Sequence, residues 1–427
     1  MLLYTLILLV VLLALAIPVA ATLVVMGFAL NWQFSMMPLH KVIAEITWTS
    51  STSFILVAIP LFILLGEILL RAGIAERMYG AMRIWLTWLP GGLMHSNIVA
   101  SAAFAATSGS SIATAATIGT VAEPQIRKQG CNERLFLGTL AAGGTVGILI
   151  PPSINMIIYG VLTNTSIAQL YIAGIIPGIL LAMMFMLTIF IACALKPSWG
   201  GRQEEATWTQ RFSVIADFLP PFAIFFAIMG SIYLGWATPT ESAAIGVIVA
   251  LFLALCHGRL NLRMLRSAFE GAMRTTAMVM LVIMAAYFLN FVLSGIGLTS
   301  QLNEFIVSLD LTKYQLLITI ILFYVVLGFF MEVLTLMITT VPIIAPIVFS
   351  AGFDPIWFGV ILMILLETAL VTPPIGLNLY VVQGIRKAGP IHDVIIGVVP
   401  FVFAMFAMIA ILIGFPELAT YLPGIMK

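Results

Sequence analysis

Charge is what this chain lacks most. Only 8% of its 427 residues are Asp, Glu, Lys or Arg, against about 25% in soluble globular proteins. So few charges cannot cover a water-facing surface, and 62% of the residues are hydrophobic. The net charge of +1 makes no case for a nucleic-acid partner. There are three cysteines, Cys131, Cys193 and Cys256, with no CxxC or ligand spacing. Cysteines in apolar segments usually serve as small packing groups. The four histidines, His40, His95, His257 and His392, stand at span ends or connectors, so metal chemistry and a membrane protease are poorly supported. Neither Ser108 nor Ser111 has a His or Lys partner near it within its own segment, which argues against an enzyme. No GxxxxGK[ST] loop occurs and no water-soluble domain is long enough for a fused ATPase. Short alternating segments are missing too, which excludes a membrane barrel.

What is present is a succession of apolar runs, each of about the 20 residues that cross a roughly 30 Å hydrocarbon core. The segments run over 1–31, 51–70, 91–120, 132–160, 168–195, 213–233, 238–256, 272–295, 315–349, 355–385 and 391–415. The fold class is therefore all-α and polytopic. The first run lacks a positive flank and reads as a retained span rather than a signal peptide. Within it, Ile17-Pro18 either kinks one tilted helix or separates two short ones. Basic connectors hold Arg71, Arg77 and Arg83; Arg127, Lys128 and Arg134; Lys196, Arg202 and Arg211; Arg259, Arg263, Arg266 and Arg274; and Arg386 and Lys387. The positive-inside rule puts these on the cytoplasmic side. Segment 91–120 must then enter and return on that side, as a helical hairpin with its tip near Thr107-Ser108-Gly109-Ser110. Segment 315–349 must do the same from the opposite side. Around Arg71 to Arg83, basic residues mix with Tyr79, Trp85 and Trp88, as in an interfacial amphipathic helix that braces a scaffold.

Two segments carry a matching interruption: GILIPPSIN around Pro151-Pro152, and ALVTPPIGLN around Pro373-Pro374. Hairpin, broken helix and span thus occur twice with opposite sense, the inverted-repeat pattern of secondary transporters. The expected divisions are scaffold spans and interfacial helix over 1–90, a first transport repeat over 91–195, central scaffold spans over 196–312 and a second transport repeat over 313–427. Proline lacks an N–H, so each break frees upstream carbonyls, and such backbone is tolerated in a membrane only when buried in protein or lining a wet cavity. Freed carbonyls and hydroxyls are hard ligands for a small cation. Half-helix starts beyond the breaks present N–H groups to an anion.

The first half offers Thr107, Ser108, Gly109, Ser110 and Ser111 against Gly143, Gly144, Thr145, Gly147, Pro151 and Ser153. The second offers Gly328, Glu332 and Thr335 against Thr368, Thr372, Pro373 and Gly376. Asn155 and Asn378 follow the breaks, where their amides either pin the tips or face substrate. Glu332 and Glu367 are the intramembrane acids. Each is a candidate proton carrier, with backbone capping the alternative for Glu332 and a structural contact the alternative for Glu367. In GWATPTESAAIG, Thr238 or Thr240 caps a helix and Glu241 reads as structural.

The stretches SGSSIATAATIG, GGTVGILIPPSINMIIYG, GWATPTESAAIG and TPPIGLNLY, in this order, resemble the large membrane subunit of tripartite ATP-independent periplasmic (TRAP) transporters over essentially the whole chain. The resemblance implies sodium-driven uptake of an organic anion, a dicarboxylate or sialic acid among others, across a bacterial inner membrane. It implies two partners, a periplasmic substrate-binding protein and a small four-helix membrane subunit. It also implies an elevator-type ion transporter fold, in which a part containing both hairpins and both broken helices slides against a scaffold. Sodium ions are the expected coupling ions, with no other cofactor. One sodium site would use the Ser108–Ser111 region with Gly144, Gly147 and Pro151, the other Gly328, Thr368 and Thr372. Proton coupling through Glu332 or Glu367 and passive anion exchange remain the alternatives.

Overall fold

The computed structural model describes residues 1–15, 17–35, 37–202, 206–373 and 376–425. Among them the regular structure is entirely helical. Among the described residues, seven helices are long and apolar enough to cross a membrane, starting with the segment ending at Arg71 and finishing with the one over Ile391–Gly414.

The N-terminal helices are α1 (Leu2–Ala14), α2 (Val19–Phe34), α3 (Leu39–Ser51), α4 (Ala58–Arg71) and α5 (Ile74–Leu86). The choice left open at Ile17-Pro18 resolves to two helices, α1 and α2, because Pro18 has no N–H to continue the first. Between the expected segments 1–31 and 51–70 lies a further helix, α3, which packs on the later helix that also holds α2. α5 buries Ile74, Met78, Tyr79 and Met82 and leaves Glu76 and Arg77 exposed, an amphipathic division.

The first half comprises α6 (Gly92–Ser108), α7 (Ser111–Gln129), α8 (Glu133–Thr145), α9 (Ile154–Thr163) and α10 (Ile167–Leu195). α6 and α7 are joined by two residues and pack on each other. Gly109 closes α6 at φ +62°, a left-handed conformation that side chains rarely adopt, and Ser110 starts α7 by accepting from the Ala113 N–H at 3.4 Å. α5 lies against α6, where the Tyr79 hydroxyl donates to Asn97 Oδ1 at 2.9 Å. α8 gives way to a short 3-10 turn over Val146–Ile148 and then to the cis Pro151-Pro152 pair, after which Ser153 caps α9. α8 and α9 have 13 and 10 residues, about 20 and 15 Å, so neither crosses the hydrocarbon alone.

Between the halves lie α11 (Trp208–Ser213), α12 (Leu219–Tyr233), α13 (Pro239–Cys256), α14 (Leu262–Gly295) and α15 (Leu298–Ser308). Thr238 and Glu241 form a reciprocal capping box at the start of α13, with Pro239 in the first turn. α14, 34 residues or about 51 Å long, packs on α2, α3 and α4.

The second half repeats the order: α16 (Lys313–Gly328), α17 (Val333–Ser350), α18 (Pro355–Val371), α19 (Leu377–Arg386), α20 (Ile391–Gly414) and α21 (Glu417–Ile425). The break falls between α18 and α19; Pro374 lies outside the described residues. The halves interlock by exchange. α9 packs on α17 and α19 on α7, so the half-helix after each break meets the hairpin arm of the other half. Likewise α20 lies along α8 and α10 along α18. The broken helices form the centre: every residue from Leu135 to Thr145 in α8 and from Trp357 to Val371 in α18 is buried. A helix apolar on all sides belongs there.

Candidate functional site

The α6–α7 turn rests on the first break. A side chain added at Gly109 would come within 3.2 Å of the Pro152 carbonyl oxygen. Beside this contact is a cavity of about 200 Å3, walled on one side by Gly109, Ser110, Ser111, Asn155 and Glu332, and on the other by Ile63, Gly66, Glu67, Leu70, Thr275 and Val279. The first set comes from both halves, the second from α4 and α14. Three helix starts converge here: Ser110 to Ala113 of α7, Ile154 and Asn155 of α9, and Glu332 to Leu334 of α17 all line the same space. Neutral hydroxyls, Ser110 and Ser153, cap the first two. Glu332 caps the third, its Oε2 accepting from the Thr335 N–H at 3.2 Å and from the Thr335 hydroxyl at 3.3 Å.

A buried polar cluster lies behind the cavity. Ser111 Oγ donates to Glu367 Oε1 at 2.6 Å. Glu367 and Asn378 are 0% exposed, and Glu367 Oε2 and Asn378 Oδ1 have no hydrogen-bond partner among the described residues. The other end of that amide, Asn378 Nδ2, donates to the Ala141 carbonyl at 3.2 Å. It also lies 3.2 Å from where a Gly144 Cβ would sit, and the Ser111 carbonyl lies 2.9 Å from the same point. Gly144 therefore keeps open the space in which residues of both halves meet.

The remaining expected site residues fall into three groups. Gly147 and Gly328 make close contacts, the first with Ala105 and the second with Ala369. Thr145, Thr368 and Thr372 donate their hydroxyls back into the helix, to Ala142, Ile364 and Thr368 carbonyls at 2.6, 2.7 and 2.5 Å. Pro151 forms the first break, and the Ser153 carbonyl accepts from the Tyr171 hydroxyl at 3.4 Å. The side chains of Thr107 and Ser108 lie outside the described ones.

Sequence reasoning missed Glu67 and Thr275. Glu67 carries a charge within an apolar run, which was a usable signal, but it stands four residues before Arg71 and reads as a helix-end ion pair. It also missed an ion-pair cluster near the basic connectors. Arg386 donates to Glu133 at 2.8 Å and to Asp393 at 3.0 Å, and Arg134 donates to Asp393 at 2.9 Å. Burial opposes the charge on Arg386, but its bonds to Asp393 and Glu133 outweigh this and raise its pKa above the usual guanidinium value.

Comparison with known proteins agrees with this architecture. Residues 6–418 match the family model of the tripartite ATP-independent periplasmic transporter, DctM component. The chain is 30% identical to the C4-dicarboxylate TRAP transporter large permease protein DctM of Rhodobacter capsulatus, over 98% of each chain. It is 32% identical to the sialic acid TRAP transporter large permease protein SiaM of Vibrio cholerae, over 87% of this chain and 86% of that one. Its fold is similar to that of the Alcanivorax borkumensis YdaH transporter, with a TM-score of 0.63 at 13% identity, covering 95% of this chain and 99% of the other. The chain is thus a multi-pass membrane permease and not an enzyme, and it belongs to the family of TRAP transporter large membrane components.

Proposed function

We propose that the chain takes up an organic anion by sodium-coupled, elevator-type transport across a bacterial inner membrane. The observation that carries this reading is the convergence of three helix starts, from α7, α9 and α17, on one cavity closed by α4 and α14. N–H groups at helix starts favour negative charge without a cationic side chain. The relatives named for a C4-dicarboxylate and for sialic acid make a carboxylate the expected class. A periplasmic binding protein delivers it, and a small membrane subunit braces the scaffold helices. The hairpin arms and broken helices of both halves move together against α4 and α14.

Sodium is the coupling ion in this reading. Ser110, Ser111 and the carbonyls freed at Pro151 supply oxygens in the first half. Thr368 and Thr372 supply them in the second, since hydroxyls that donate backward keep lone pairs for a cation. The unpartnered Glu367 Oε2 and Asn378 Oδ1 also fit a cation nearby. A second reading has Glu367 carry a proton instead, favoured by its complete burial with one oxygen unpartnered.

Liposomes containing this chain with its small subunit and binding protein discriminate these readings. Succinate and N-acetylneuraminate are supplied under a sodium gradient or a proton gradient. Accumulation driven by sodium alone is expected. Accumulation under a proton gradient without sodium would reject sodium coupling and favour Glu367 as carrier. Equilibration without accumulation would mark a passive exchanger.

A further inference from the structure

Glu67 is the charged side chain on the scaffold wall of the central cavity. No lysine or arginine lines that cavity among the described residues. The Glu67 carboxylate instead receives the guanidinium of Arg71, one turn further along α4. Its other face lies on α14 at Gly271, where a Cβ would come within 2.8 Å of both carboxylate oxygens. The pair is partly open, with side-chain exposures of 22% for Glu67 and 29% for Arg71. Arg71 ends α4 in a basic connector, so this end of the cavity is the cytoplasmic one by the positive-inside rule.

The scaffold presents different chemistry at its other end. Tyr287, Asn290 and Ser294 of α14 line a cavity of about 500 Å3 with Glu45, Thr49 and Ser50 of α3, and Asn290 and Ser294 also line a second of about 450 Å3 beside α17, with no charged residue in its lining among the described residues. Asn290 is about 22 Å along α14 from Thr275, at 1.5 Å per residue. An elevator moving the hairpin tips along α14 would carry its cargo from the neutral side chains of the cavity beside α17 to an ion pair already satisfied within the scaffold.

We propose that Glu67 is a release residue: it occupies the Arg71 guanidinium at the cytoplasmic end, so the substrate carboxylate gains no cation from the scaffold and leaves. This rests on the anion-carrier reading above. An arginine left free beside the cavity would hold a carboxylate through charge-assisted hydrogen bonds and keep the carrier loaded on the inside.

The test is trans-inhibition in liposomes holding the complete transporter. Labelled succinate or N-acetylneuraminate, whichever the parent accumulates, is taken up against increasing concentrations of the same compound inside. Glu67→Gln is expected to lower the internal concentration that halves uptake by about tenfold, because it frees an Arg–carboxylate contact. Its maximal rate should fall, while the concentration of loaded binding protein needed for half-maximal uptake stays unchanged. Adding Arg71→Gln should return the internal value close to the parent's, because the guanidinium freed by the first change is removed with it. An unchanged internal value in Glu67→Gln overturns the proposal, as does a shift that persists in the double variant. Should Glu67→Gln fail to insert, Arg71→Gln alone decides. It leaves an unpaired carboxylate on the wall and should raise the internal value several-fold, and no change overturns the proposal. A parent that shows no sodium-driven accumulation would instead sink the carrier reading, and this proposal with it, before any variant is compared.

Discussion

Ser111 and Glu367 stand 256 residues apart in sequence and share a buried hydrogen bond of 2.6 Å between the Ser111 hydroxyl and Glu367 Oε1. The bond ties the start of the first hairpin's second arm to the second broken helix, where Asn378 and Gly144 also meet. Removing the hydroxyl leaves a buried carboxyl oxygen without its donor, at a cost of about 1–3 kcal/mol. Ser111→Ala is expected to lower thermal stability and raise the sodium concentration for half-maximal uptake several-fold. Glu367→Gln should impair transport more severely, since it removes the ionisable carboxyl that either coupling ion would use. Sodium activation curves on folded, reconstituted variants check both, and parental curves for the two would remove this cluster from cation binding.

Gly147 and Gly328 make the same contact with the roles exchanged. A Cβ on Gly147, in the first broken region, would lie 2.4 Å from the Ala105 Cβ on a hairpin arm. A Cβ on Gly328, on a hairpin arm, would lie 2.4 Å from the Ala369 Cβ on a broken helix. Both neighbours are rigid, so Gly147→Ala is expected to cost about 1–3 kcal/mol by overpacking. Ala105→Gly in the same chain should restore most of the loss, because the glycine then sits on the arm as it does in the second half. Melting temperatures of the single and double variants give the answer.

Thr372→Ala deletes one hydroxyl and spares the backbone, since among the described residues that hydroxyl donates to the Thr368 carbonyl alone. Stability should change by about 1 kcal/mol or less. The half-activating sodium concentration should rise more than the substrate concentration for half-maximal uptake. Reciprocal linkage then requires substrate to raise sodium affinity by the factor with which sodium raises substrate affinity. Binding isotherms for each ligand in the presence and absence of the other measure both factors.

Arg386 is 9% exposed in its side chain and holds Glu133 and Asp393 together, joining α8, α19 and α20. Arg386→Gln keeps some hydrogen bonding but leaves two carboxylates without their shared cation. Asp393 still has Arg134. The expected loss is about 1–3 kcal/mol, from broken charge-assisted bonds. Thermal unfolding in detergent should show a lower midpoint for Arg386→Gln than for Arg266→Gln, whose partner Glu270 forms an exposed i,i+4 pair.

Much of the architecture was legible because its causes are local. Apolar run length marks membrane helices, and a missing proline N–H interrupts one wherever it occurs. Gly109, Ser110 and Glu332 announced the tips, since left-handed turns and helix caps are decided by adjacent residues. The capping box at Thr238 and Glu241 was readable for the same reason. Sequence alone left Ile17-Pro18 open, because a proline can kink a helix or end it; the structure shows it ending α1, with Pro18 at the start of α2. The sequence did not show that Glu367 would meet Ser111, or that Glu67 of α4 and Thr275 of α14 would close the cavity facing Glu332. Those contacts come from packing one half against the other and both against α4 and α14. Non-local packing leaves no periodicity or spacing in either partner's own stretch, so only the tertiary structure brought these side chains together.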